Sequence, residues 1–188
     1  MTQHESQQSP ELESPREFAH VDDGFERLWT PHRMAYINGE RPTDHAGAGC
    51  PFCSVVGKDD AEGLIVHRGQ TCYVVMNLFP YNPGHVLVCP YRHVSLYVDL
   101  TDEETTEFSA LTKASLVALE ACSLPMGYNI GMNQGAVAGA GIRAHLHQHI
   151  VPRWGGDSNF LPIIGQTKAL PMLLEDVRLK LVEAWPSA

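Results

Sequence analysis

A chain of 188 residues with 44% apolar and 19% charged residues holds enough material for one buried core but not for two full domains, and its balance is that of a globular protein. A formal net charge of −9 excludes the basic surface that neutralises nucleic-acid phosphates, though not a nucleotide held in one local pocket. No apolar run approaches the roughly 20 residues of a membrane-spanning helix, and the start MTQHESQQSPELESPREF lacks the basic and apolar regions of a secretory signal. The expected location is the cytoplasm, with neither nucleic acid nor membrane as a partner.

Residues 1–22 are polar and rich in Gln, Glu, Ser and Pro, so a mobile tail is expected there and a single domain over 23–188. From Gly24 to about Asn38 the apolar positions predict a short helix broken near Pro31, or packed irregular chain, followed by the loop RPTDHAGAG. The runs GLIVHRG and TCYVVMN predict a hairpin turning at Arg68 to Gln70, and HVLVCPYRH predicts a strand stopped by Pro90. NLFPYNPG between them is turn-rich. Thr101 with Glu104 forms a capping box, and apolar residues from Phe108 to Ala121 recur at helical spacing until Pro125. GYNIGMN predicts a strand, QGAVAGAGI a small-residue loop, AHLHQHIVP a further strand, and about 168–184 a final helix. The expected fold is an antiparallel α+β domain with one long central helix and a C-terminal helix.

Within HLHQHIVPRW, strand period places His145, His147 and His149 on one face, and Leu146, Gln148 and Ile150 on the other. Spacing alone leaves three readings open: metal ligands, a nucleophile with its acid/base partners, or structural histidines. Five cysteines, an odd number, point to thiols or metal ligands rather than a disulfide framework. Cys50 and Cys53 have the spacing of a zinc knuckle, but no second CxxC exists, so any further ligands must be distant histidines. A reduced buried pair is the alternative. Thioredoxin-type redox chemistry lacks the helix pattern it needs after Cys50.

The histidine run behind its glycine-rich loop resembles the histidine triad family of nucleotide hydrolases and transferases, and the similarity extends to NLFPYNPGHVLVCPYRHV and to the loop from Asn133 to Ala144. It covers about residues 24–165. LWTPHRMAYI, NLFPYNPGH and PRWGGDSNF look most like the bacterial branch of diadenosine tetraphosphate phosphorylases and related hydrolases. The resemblance implies a nucleophilic role for His147, and contact with the phosphates and departing group for His149 and His85. It implies a phosphate cradle from the amides of Gly139, Ala140, Gly141 and Ile142, a ribose contact from Asn77 and a phosphate contact from Asn133. It also implies a structural Zn2+ held by Cys50, Cys53, His93 and His145. The implied partners are an adenine nucleotide or dinucleoside polyphosphate, inorganic phosphate as acceptor, and a second copy of the chain in a homodimer, with tetramers left open.

Two departures bear on the chemistry. Gln148 is polar where the motif is usually apolar, which suggests a partly solvated or interfacial position. Ala140 and Gly141 replace a Gly-Ser pair of the phosphorylases, and the missing hydroxyl brings hydrolysis close as a competitor. An adenosine phosphoramidase, a non-enzymatic nucleotide-binding module and a catalytic zinc hydrolase are the rival readings. Phe52 is expected in the base pocket or the core, and Arg153 with Trp154 in the substrate groove or a dimer contact.

Overall fold

A computed structural model describes residues 49–157 and 171–187. The expected tail, the expected helix between Gly24 and Asn38 and the first residues of the expected C-terminal helix lie outside them. The described elements run α1 (Pro51–Val55), β1 (Ile65–Arg68), β2 (Cys72–Met76), β3 (Val86–Pro90), α2 (Asp102–Ser123), β4 (Gly127–Met132), β5 (Gln148–Arg153) and α3 (Leu174–Glu183). The strands form one sheet in the order β1-β2-β3-β5-β4 with every neighbouring pair antiparallel. The architecture is the expected α+β arrangement.

Strands β2 and β3 are buried at every position because the sheet is covered on both sides. On one face Val74, Met76, Val88 and Ile150 pack beneath Phe108, Leu111 and Leu119 of α2. On the other, Tyr73, Val75, Leu87 and Cys89 meet Cys50 and Phe52 of the N-terminal turn. The alternation in β2 thus divides between two cores rather than between core and solvent.

Helix α2 starts with the full capping box: Thr101 Oγ1 accepts from the Glu104 N–H at 3.2 Å, and the Glu104 carboxylate accepts from the Thr101 N–H at 2.8 Å. It ends where Leu124 turns left-handed before Pro125. Thr101→Ala is expected to cost about 1 kcal/mol, read as a lower midpoint in thermal unfolding, with nucleotide turnover unchanged at temperatures where the protein stays folded.

Two expectations need correction. The final helix begins at Leu174, later than the sequence spacing suggests; Pro171 and Met172 precede it outside helical geometry. Its buried Arg178 donates to the Ile65 carbonyl at 3.1 Å and so caps the outer edge of β1. The histidine strand joins the ladder only at Gln148, opposite Val88. Ahead of it the Pro90 carbonyl is taken by a side chain, that of His145, and the Leu146 N–H donates to the Val94 carbonyl, so His145 to His147 run along the β3 exit instead of pairing.

Candidate active site and metal group

The residues around the three histidines come from four stretches of chain. The bond from the Leu146 N–H to the Val94 carbonyl, 2.6 Å long, lies between the β3 exit and the segment leading into β5. It brings His93 and His145 to the same side, beside the N-terminal turn that carries Cys50 and Cys53. The hairpin-like turn from Asn77 to Gly84 delivers His85 at the start of β3. Gly84 sits at φ +78°, and a Cβ there would stand 3.0 Å from Leu119, so glycine is required for this approach.

Four of the imidazoles are each held in one tautomer by a partner. The Nδ1–H of His147 donates to the His145 carbonyl at 2.8 Å; a carbonyl only accepts, so the proton is on Nδ1 and Nε2 carries a lone pair. His145 has the opposite arrangement: its Nε2–H donates to the Pro90 carbonyl at 2.9 Å, and Nδ1 turns to the cysteines. The Tyr81 N–H donates to His85 Nδ1 at 3.0 Å, so the His85 Nε2–H donates to His149 Nδ1 at 2.9 Å. The proton of a neutral His149 is therefore on Nε2.

Burial favours these neutral forms. His147 is 6% exposed, and burial lowers its pKa, partly offset by the bond to the His145 carbonyl. Burial, and then the neighbouring His147, lowers His149 to about 4. Its ring lies 5.0 Å from that of His147, edge to face. The Phe52 ring is 4.8 Å from that of His147 and 5.4 Å from that of His145. Phe52 is buried in the core on that face, and Ile142 of the glycine-rich loop packs against the same cluster.

Sγ of Cys50 and Nδ1 of His145 are 3.5 Å apart, Cys53 and His145 also 3.5 Å, and Cys53 and His93 3.2 Å. All four ligand atoms lie within 4.8 Å of one another, so the group can hold a metal ion. Burial, then the adjacent Cys50, raises the Cys53 pKa, a penalty that a bound cation would offset. None of the five cysteines forms a disulfide, in line with the expectation of thiols or metal ligands.

The remaining expected residues divide. Asn77 makes the turn: its Oδ1 accepts from the Phe79 N–H at 3.0 Å and its Nδ2 faces His85 Nδ1 at 3.2 Å. Asn133 directly follows Met132, which pairs with Gln148, and is thus at the same end of the sheet as His147. Gly139 has φ +79°, Ala140 is buried, and among the described residues no hydrogen bond takes up the N–H of Ala140, Gly141 or Ile142. Gln148 corrects its expectation: it is buried, not solvated, because its amide donates to Thr112 Oγ1 of α2 at 2.8 Å.

Arg153 and Trp154 are engaged on the far side of β5's end. Arg153 pairs with Asp157 at 2.6 Å and bonds Asn129, while Trp154 lines an apolar cavity of about 290 Å³ with Leu119 and Val177 on the α2 side. Tyr81 has no role in the sequence expectations, yet its ring stacks on His149 and leans on His85. The available signal was two aromatic residues in a turn where polar residues usually dominate.

The comparisons fit this geometry. A protein of Mycobacterium tuberculosis named AP-4-A phosphorylase is 46% identical over 167 residues, covering 87% of this chain and 86% of the relative. A solved Sulfolobus tokodaii structure, described as a hypothetical histidine triad nucleotide-binding protein, is 25% identical with a TM-score of 0.60 and covers 72% of this chain and 91% of its own. A Zn-bound histidine triad family protein of Mycobacterium smegmatis is also 25% identical, with a TM-score of 0.59 and coverage of 72% and 92%. Residues 58–156, which carry every strand among the described residues and the three histidines, match the HIT domain, and the chain belongs to that family.

Proposed function

We propose that the protein cleaves dinucleoside polyphosphates, foremost diadenosine tetraphosphate, through a nucleotidyl-His147 intermediate that inorganic phosphate then resolves to give ATP and ADP. The observation that carries this reading is the bond from His147 Nδ1–H to the His145 carbonyl, which leaves Nε2 unprotonated and ready to attack. The relative named AP-4-A phosphorylase supports the substrate.

In the first step the Nε2 lone pair forms a bond to the α-phosphorus while the bond to the bridging oxygen breaks, and ATP departs as an anion. His149, held by His85, donates from Nε2 to an oxygen of the reacting phosphate, where negative charge must be stabilised. The amides of Gly139, Ala140, Gly141 and Ile142 cradle the phosphates, and Asn133 contributes a further polar contact. Asn77 takes the ribose hydroxyls, exchanging one of its turn contacts. A phosphate oxygen next attacks the same phosphorus, the P–N bond breaks, and its electron pair returns to Nε2.

The metal is zinc in this reading. A tetrahedral site with Zn–S of about 2.3 Å and Zn–N of about 2.1 Å has S···N edges of about 3.6 Å, close to the 3.2 to 3.5 Å separations of Cys50, Cys53, His93 and His145. With four protein ligands the ion is structural, and it steadies the segment whose carbonyl orients His147. The homodimer belongs to the same reading, supported by β4, an edge strand of the sheet, which exposes Ile130. A reducing cytoplasm suits five cysteines without a disulfide.

Incubation with diadenosine tetraphosphate, with and without inorganic phosphate, tests the acceptor. ADP that forms only when phosphate is present is the expected chromatographic result. Turnover at the same rate without phosphate would make the protein a hydrolase.

A further inference from the structure

Phe79 and Tyr81 expose 79% and 54% of their surface, although the turn that carries them is firmly anchored. Asn77 holds the Phe79 N–H, and His85 holds the Tyr81 N–H. Asn82 is buried and donates to the Pro152 carbonyl at 2.8 Å and to Asp157 at 2.7 Å, and the latter is also paired with Arg153. Such a turn presents its two aromatic rings with little ordering left to do on binding.

The Tyr81 ring is continuous with the site. Tyr81 lies nearly parallel to His149, 14° between planes and 5.6 Å between centroids, and His149 in turn adjoins His147. Phe52 also lies against His147 and is buried. The nucleophile thus adjoins one buried aromatic ring, Phe52, and through the neutral donor His149 is linked to an exposed one, Tyr81. A substrate with two bases joined by a polyphosphate needs a place for each, and exposed rings suit a base that must depart.

We propose that Phe79 and Tyr81 form a stacking platform for the second base of the dinucleoside polyphosphate, the one that leaves with the polyphosphate chain. This rests on the function proposed above and adds to it a basis for choosing two-base substrates over one-base substrates. Stacking tolerates every base, since each offers a π-face, so the platform selects for the presence of a second base more than for its identity.

The test compares diadenosine tetraphosphate with adenosine 5′-tetraphosphate, which has the same cleaved linkage but no second base. Phe79→Ala and Tyr81→Ala are each expected to lower the ratio of kcat/KM for the two-base over the one-base substrate about tenfold, the scale of one base–aromatic stack. The loss should lie mainly in KM, and Tyr81→Phe should restore the ratio. Equal losses on both substrates, which mark a purely structural role, overturn the platform, as does an unchanged ratio in both variants. A change of oligomer mass with an unchanged ratio shows a second copy seated on the rings and overturns it too. Phe79 touches none of the histidines in the ring contacts, so its variant tests the idea even where Tyr81→Ala disturbs His149. If the unsubstituted protein turns over neither substrate, the underlying function fails and the platform with it; an active parent whose variants keep its selectivity sinks the platform alone.

Discussion

Replacing His147 with alanine should lower turnover of diadenosine tetraphosphate by about 10⁴-fold or more, the scale expected when a covalent nucleophile is removed. Mass spectrometry of the unsubstituted protein mixed with substrate should show an added nucleotidyl group, and the variant should show none. The fold should survive, because the bond lost is a local one from the ring to a carbonyl two residues away. Metal content should also survive: the ligand atoms belong to Cys50, Cys53, His93 and His145, and His147 is not among them. A variant that lost its metal along with its activity would instead favour a catalytic metal ligated by the triad. Residual turnover near the parent rate would show that another group attacks phosphorus.

Cys50→Ser should release the metal and destabilise the protein by about 4 kcal/mol, well below the roughly 10–16 kcal/mol of structural zinc in small peptides because the sheet supplies its own core. That corresponds to a fall of about 10–15 °C in melting temperature for a domain of this size. The cause is the span of the group, which ties the N-terminal turn to residues 40 and 92 positions away along the chain. Activity should decline without vanishing, because a metal held by this group would act on His147 only through the backbone of His145. Elemental analysis with calorimetry checks the first part and product formation the second. An unchanged melting temperature after complete metal loss would remove the structural role, and total loss of activity in a protein still folded would argue for direct chemistry at the ion.

Much of the sheet was legible because its signals are local. The β-branched run of β2, the proline that ends β3 and the capping box of α2 each act within a few residues, and each element formed as the spacing suggests. Gln148 was not legible: its partner Thr112 is 36 positions away, and nothing in the motif announces a hydroxyl waiting beneath α2. The start of β5 escaped for a similar reason. Alternation continues through His145 and His147, but the carbonyl that could have belonged to the ladder is taken by the His145 ring. The CxxC pair needed the resemblance to find its histidines, and the fold brings all four together. Tyr81 escaped because stacking on His149 depends on the fold of a turn, which composition does not encode.

The placing of β5 between β3 and β4 also bears on how the site comes into being. β4 and β5 are neighbours in sequence and can pair early, whereas β3 pairs with β5 across the whole of α2 and β4, a long closure that is slow to form. His85 reaches His149 only through that second pairing, across 64 positions of chain. A partly folded chain therefore has the histidines but not the relay between them, and capture of nucleotide during refolding would time the last long-range closure of the sheet.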